Sequence, residues 1–387
     1  MFQNKYFYFL CFCLIFLTGC WDVVNIEERG FIVGSAIDIQ EGENNKHPEL
    51  IVTDQIVVPA GMISPSQESG GGELAFLNLT STGKSIYKME EEIAAISSKV
   101  PYFEHLGIIA ISEDVAKIEH LFSNLLDSYI RDVNLRRGAK IVVSKDEAKK
   151  LLDFTTPNYK LPARNIEEIL EKGNRQAGLL KSHAVGDIEE FHFRNNSFIL
   201  PYLTIEEYLA YKAGAVFHGP KDKMVGIFND DEMHGLGMIR GEHTAKVIDL
   251  TYKEKTLALE VIRLRSKMSV DPKGVHDINV SIDIEIEAII KESFHQGDLT
   301  KSSEIEDMQT AVSNEVRENI VKVIQKGQGE LGTDVFGVWQ QLQTKHYDIW
   351  KQVKDDWEEG ENYFKNVNFD VNVSTEIYST GTTNKTK

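Results

Sequence analysis

Ile278, Val280, Ile282, Ile284, Ile286 and Ala288 alternate without a break against Asn279, Ser281, Asp283, Glu285 and Glu287. A period of two marks an extended strand with one face in a core and the other in water, because successive side chains leave a strand on opposite sides. Such strands belong to sheets covered on one face, typically antiparallel, whereas strands of a fully buried parallel sheet are apolar throughout. Val367, Phe369, Val371, Val373 and Ile377 repeat the pattern against Asn368, Asp370, Asn372, Ser374 and Glu376. Between the two strands, Ser303 and Glu306 stand at capping-box spacing, and Ile305, Met308, Val312, Val316, Ile320, Val323 and Ile324 form one helical stripe. These features predict an α+β domain over residues 223–380, an antiparallel sheet backed by helices, followed by a frayed tail at 381–387.

The first half of the chain has a different texture. Phe31 to Asp38 and Leu50 to Val58 read as two strands joined by the polar stretch Gln40 to Pro48, and Pro59 to Glu73 reads as a surface loop. Ile86, Met89, Ile93 and Ile96 then recur at helical spacing, Leu106 to Ile111 is a continuous apolar run, a helix carries Ile118 to Ile130, and Ala139 to Val143 returns as a strand. That order predicts a small α/β unit with a buried sheet. From Lys145 to Lys212 the pattern predicts helices broken by loops, among them Ile166 to Lys172 and Tyr208 to Lys212. Thr204 and Glu207 at capping-box spacing start the last of these near Ile205. Gly214, Gly219 and Pro220 mark 213–222 as a linker. The whole is therefore α+β and multidomain, with two or three domains of mixed and antiparallel sheets packed against helices. Residues 20–212 divide into two packed subdomains, about 20–62 with 154–212 and about 63–153.

Leu17-Thr18-Gly19-Cys20 directly follows the apolar run Tyr6 to Leu17, and Lys5 precedes it. A positive n-region, a short apolar core and small residues before a cysteine describe a lipoprotein signal peptide, residues 1–19, removed when Cys20 is acylated. The run is too short for a membrane span, which needs about 20 apolar residues. Cys11 and Cys13 leave with the signal, so the mature chain retains only Cys20. Disulfides and cysteine-based catalysis are thereby excluded. The net charge of −18 argues against nucleic acid and against a general attraction to anionic lipid, leaving the S-diacylglycerol and N-acyl groups on Cys20 as the membrane contact.

Catalytic signatures are sparse. Asp230, Asp231, Glu232 and His234, with Glu242 and His243, form a dense set of potential metal ligands but fit neither a calcium loop nor a zinc spacing, and read as a solvated turn between strands. Gly70-Gly71-Gly72 lacks the Lys-Ser/Thr of a phosphate loop. His105 at a strand start reads as structural, and Glu285 and Glu287 face water on their strand. No cofactor and no metal is expected. Trp339, Trp350 and Trp357 are candidate partner contacts if exposed, since aromatics are enriched at interface cores, and core residues if buried.

Gly19-Cys20-Trp21-Asp22, then Asn25-Ile26-Glu27-Glu28, then Phe31 to Asp38 resemble the N-terminus of the Ger(x)C family, the lipoprotein C subunits of spore germinant receptors. Thr82-Gly83-Lys84-Ser85-Ile86, Phe103-Glu104-His105-Leu106, Ile111 to Ala116 and Asp334-Val335-Phe336-Gly337 are similar to later segments of that family, as are Trp350, Trp357 and the closing strand. The chain departs from the family pattern at Lys345 to Trp350 and at Glu358-Glu359-Gly360-Glu361, where a more apolar approach to the last strand is usual.

The resemblance implies a non-enzymatic subunit anchored through Cys20 on the outer face of the spore inner membrane. It also implies integral membrane A and B subunits as partners in a receptor that triggers germination in response to nutrients. The competing expectation is a substrate-binding lipoprotein of an uptake transporter, which should show two similar α/β lobes.

Overall fold

The computed structural model describes residues 25–40, 48–63, 74–131, 135–173, 180–242, 247–294 and 301–379. The first half is organised by one nine-stranded sheet. Its strands are β1 (Arg29–Ile39), β2 (Leu50–Val57), β3 (Phe76–Gly83), β4 (Val100–Tyr102), β5 (Ile108–Ser112), β6 (Lys140–Ser144), β7 (Phe198–Ile205), β8 (Leu209–His218) and β9 (Lys223–Phe228). Their order is β3-β2-β1-β5-β6-β7-β8-β9, with β4 alongside the start of β1. The central strands β1, β5, β6 and β7 run parallel, and antiparallel strands extend the sheet on both sides.

Parallel neighbours need crossovers, which here are helices. In chain order they are α1 (Pro59–Ile63), α2 (Ile86–Ser97), α3 (Glu113–Ala116), α4 (Leu121–Ile130), α5 (Ala148–Asp153), α6 (Pro162–Lys172) and α7 (Val185–Phe193). One sheet face packs on α2, α4 and α7 through Met89, Ile93, Phe122, Leu125 and Ile188. The other packs on α5 and α6 through Leu151, Leu152, Ala163 and Ile166. Burial of both faces explains why β5 and β6 read as unbroken apolar runs.

The second half contains α8 (Asp230–Arg240), β10 (Val247–Tyr252), β11 (Lys255–Gly274), β12 (Asp277–Ser293), α9 (Ser302–Gln325), α10 (Val338–Lys345), α11 (Tyr347–Val353) and β13 (Asn368–Ser379). Its four-stranded sheet has the order β10-β11-β12-β13. Ile278, Val280, Ile282, Ile284 and Ile286 are all buried, and Met308, Val312, Val316 and Ile320 of α9 lie in the same core. The opposite face is wet, with Arg263 on Glu287 at 2.9 Å and Arg265 on Glu285 at 3.2 Å. Helix α8 crosses α9 closely: a Cβ on Gly235 would lie 2.6 Å from Asn319 Oδ1 and 2.9 Å from Val323 Cγ2.

The α+β class and the mixed first sheet agree with the sequence reading, and four local expectations are corrected. Residues 204–212 are not a helix: Ile205 pairs with Leu209, and the loop between them is the turn of the β7–β8 hairpin. The apolar segment preceding Thr204 pairs with β6 in the core, and this tertiary pairing overrides the local capping-box spacing. The expected linker at 213–222 holds the second half of β8, whose Ala215, Val216 and Phe217 are fully buried, and a tight turn into β9. One sheet runs through both expected subdomains and takes in β9, beyond the expected boundary at 222. Finally, β13 pairs parallel to β12, with α9 within the crossover. Among the described residues the two sheets differ in strand number and order and do not form the paired similar lobes expected of a transporter binding protein.

Candidate functional site

Several acidic and hydroxyl residues in the family-like motifs cap helices. The Asp38 carboxylate accepts the Ala148 N–H at 2.6 Å and the Lys149 N–H at 3.0 Å, holding the start of α5 against the end of β1. Ser85 caps α2 through the Lys88 N–H, and Ser112 caps α3 through the Val115 N–H, each at 3.4 Å. Orphan N–H groups at helix starts favour such oxygens.

Asp334 does the same at larger scale. Its Oδ1 accepts the N–H groups of Phe336, Gly337 and Val338 at 3.0–3.2 Å. Its Oδ2 accepts the Trp339 N–H at 2.7 Å and the Trp357 indole N–H at 3.0 Å. Burial raises the Asp334 pKa, and the Trp339, Trp357, Val338 and Gly337 donors pull it back. Around them Trp339, Trp350, Trp357 and Phe364 pack with successive ring centroids 5.8–6.4 Å apart.

This cluster joins the two halves of the chain. The Ser197 hydroxyl, just before β7, donates to Glu358 Oε2 at 2.5 Å and accepts the Gly219 N–H at 2.9 Å. Glu358 Oε1 accepts the Asp334 N–H. The Lys221 N–H donates to His218 Nδ1 at 3.2 Å, which leaves Nε2 to donate to the Glu358 carbonyl at 3.3 Å. A Cβ on Gly219 would lie 2.3 Å from the Asn195 carbonyl oxygen, so the turn that presents these groups admits only glycine. Burial, reinforced by the nearby Asp334 charge, pushes the Glu358 carboxyl up to about 8. Burial beside Lys221 lowers the pKa of His218, which stays neutral near pH 7. Within the second half, Arg240 Nε donates to the Val335 carbonyl at 2.7 Å, next to Asp334.

A second polar centre lies inside the first half, beneath a cleft of about 1190 Å³ between α2 and α4. Ile86, Glu90, Leu121, Leu125 and Tyr129 line the cleft. Under it the Ser35 and Tyr129 hydroxyls hydrogen-bond at 2.7 Å, and Asp54 is fully buried. Burial raises the Asp54 pKa, partly offset by the neighbouring Glu90 and Ser35 side chains. Burial also pushes the Tyr129 phenol well up, with Glu90 and Asp54 adding to the shift.

The structure disperses the residues nominated from sequence. Trp339, Trp350 and Trp357 are buried, at 8%, 8% and 5% exposure, so they are core residues and not a free contact surface. Asp230, Asp231, Glu232 and His234 form the first turns of α8 instead of a turn between strands, with Glu232 and Asn229 forming a reciprocal cap. His105 is exposed, its ring against Phe31 and Tyr102 at 5.4 and 6.0 Å. Cys20, Gly70, Gly71, Gly72 and His243 lie outside the described residues. Among the described residues no three His, Cys, Asp or Glu side chains are placed to hold a metal, and no helix is long and apolar enough to cross a membrane.

Both halves of the chain match known protein families. Residues 22–205 match the family model "Spore germination protein N-terminal domain", and residues 212–381 match "Spore germination B3/ GerAC like, C-terminal". The chain belongs to the Ger(x)C family. Among curated Ger(x)C relatives, Spore germination protein YndF of Bacillus subtilis (strain 168) is 26% identical over 393 residues, covering 96% of each chain. Spore germination protein B3 of the same organism is 26% identical over 381 residues, covering 97% of each. The crystal structure of the GerBC protein superposes with a TM-score of 0.61 at 17% identity over 89% of this chain and 97% of that one, and so shares the fold. A germination-related role follows from these relatives. The Glu358 contacts to Ser197 and His218 tie the two halves together, whereas the caps at Asp38, Ser85 and Ser112 lie within the first matched region.

Proposed function

We propose that this Ger(x)C protein is the lipid-anchored, non-catalytic C subunit of a nutrient germinant receptor. Cys20 carries S-diacylglycerol and N-acyl groups and holds the chain to the outer face of the spore inner membrane, beside integral membrane A and B subunits. The observation that carries the reading is the match along both halves of the chain to germination families, joined to a lipoprotein signal ending at Cys20. Two acyl chains anchor stably where one does not, and the tether raises the local concentration of the subunit around its partners. The polar groups described above serve structure: they cap helices and close the junction.

Deletion of the gene followed by germination assays across amino acids and sugars tests this. Loss of response to one nutrient set is expected. Unchanged germination with every nutrient to which the parent spores respond would overturn the assignment.

A further inference from the structure

Exposed apolar side chains collect at one end of the large sheet. β1 starts at this end with Arg29; β2, antiparallel to it, ends there; β3 starts there, Phe76 pairing with Val57. β4 also starts there, Val100 pairing with Arg29. Helix α2 runs back from the far end of β3 and delivers Ile96 to the same place. The connections between these elements therefore gather Ile26, Met62, Ile63, Leu74, Ile96 and Val100, which are 41–87% exposed. Isolated exposed apolar residues are ordinary, but a group of six on one rim of the molecule is a patch.

The rim is firmly built. The Lys99 ammonium donates to the Glu27 carbonyl, and Lys160 donates to the carbonyls of Gly61 and Met62 at 3.3 and 2.9 Å. Arg29 covers the Tyr102 ring at 4.3 Å. The charges facing this end are Arg29, Lys99 and Lys160 against Glu27 and Glu28, a net of about +1. A surface of so little net charge with exposed aliphatic groups attaches mainly by burying apolar area, not by electrostatic attraction.

The chain leading to this rim limits what can cover it. Asn25 is five residues after Cys20. Fully extended, five residues reach about 18 Å, less than the roughly 21 Å radius of gyration of a compact chain of this length. A tether that short keeps the end of the sheet where β1 begins against the bilayer and keeps the far end away. We infer that the rim formed by Ile26, Met62, Ile63, Leu74, Ile96 and Val100 is a lipid-contacting face that fixes the orientation of the subunit on the membrane. The inference rests on acylation of Cys20.

The test uses the acylated chain reconstituted into phosphatidylethanolamine/phosphatidylglycerol vesicles. Because acylation consumes the only cysteine of the mature chain, Ile63→Cys and Val100→Cys can each be labelled with an environment-sensitive fluorophore. Tyr87→Cys and Tyr208→Cys, exposed at the opposite end of the sheet, are the controls. Nitroxide-bearing lipids should quench the labels at 63 and 100 at least several-fold more than those at 87 and 208. Introducing Ile26→Asp with Ile96→Asp should reduce that quenching while the protein still floats with vesicles. Flotation with equal quenching at all four positions would overturn the lipid-facing rim alone. Failure of the acylated preparation to float would overturn the anchoring on which it rests.

Discussion

Ser197 and Glu358, 161 residues apart, meet at 2.5 Å with both side chains buried, and the contact ties the start of β7 in the first sheet to the segment that precedes the last strand of the second. Because Ser197 also accepts the Gly219 N–H, the hydroxyl proton is committed to Glu358. Ser197→Ala leaves a carboxyl oxygen and an amide without partners in a dry site. It should lower unfolding stability by about 1–3 kcal/mol, the usual cost of orphaning buried polar groups. Urea titration of the lipid-free chain checks this, with a change below about 0.5 kcal/mol counting against it.

Glu358 also sets a pH dependence. Its pKa is about 8 in the folded chain against 4.5 for the ordinary side chain, so the folded state holds the proton more tightly. The stability it contributes is complete below about 4.5 and is lost as pH rises through about 8. Glu358→Gln, which keeps a neutral group and an acceptor oxygen, should flatten the alkaline fall in thermal midpoint between pH 5 and 9. His218, with a lowered pKa, acts on the other side, its contribution being lost on acidification below its ordinary value of 6.5. That acid limb should survive in the Glu358→Gln protein.

Asp334→Asn replaces an acceptor of five N–H groups with a side chain whose amide nitrogen must face some of them. Stability should fall by roughly 2–4 kcal/mol, since bonds to a charged acceptor are the stronger kind. Trp357→Phe removes only the indole donor and should cost less. Near-ultraviolet circular dichroism should change in both, because the tryptophans of the cluster pack around Asp334. Equal stability of Asp334→Asn and the parent chain would contradict the cap.

Asp54 is raised by burial beneath the cleft between α2 and α4, so its contribution also diminishes as pH rises above its ordinary value of 3.8. Asp54→Asn should gain stability relative to the parent on going from pH 4 to pH 8. The gain should add to that of Glu358→Gln, since the two sites share no partner. Differential scanning calorimetry of both single variants and the double variant reads the sum.

Much of this fold was legible because its patterns are long. The two periodicities along 86–143 correctly ordered helix, strand, helix and strand, and the alternation at 278–288 placed its isoleucines in the core. The β7–β8 hairpin was not legible, since Thr204 and Glu207 mimic a helix start locally and only pairing with β6 decides otherwise. The parallel placement of β13 depends on the route taken by α9, which strand alternation does not encode. Of the buried acids, Asp54 did carry a signal: it shares the strand face of Val52 and Ile56, where a carboxylate is out of place. Glu358 carried none, because it stands in the run Asp355-Asp356-Trp357-Glu358-Glu359, which reads as solvated until the junction folds over it. The tryptophans 339, 350 and 357 showed the reverse ambiguity, and tertiary packing resolved it toward the core.

The anchored-subunit reading is tested most directly by replacing Cys20→Ala at the native locus, then measuring membrane fractionation of the protein and nutrient-triggered germination in the same spores. Loss of the protein from the inner-membrane fraction together with loss of the nutrient response is the predicted result. Spores that germinate normally with the protein still membrane-bound would contradict it.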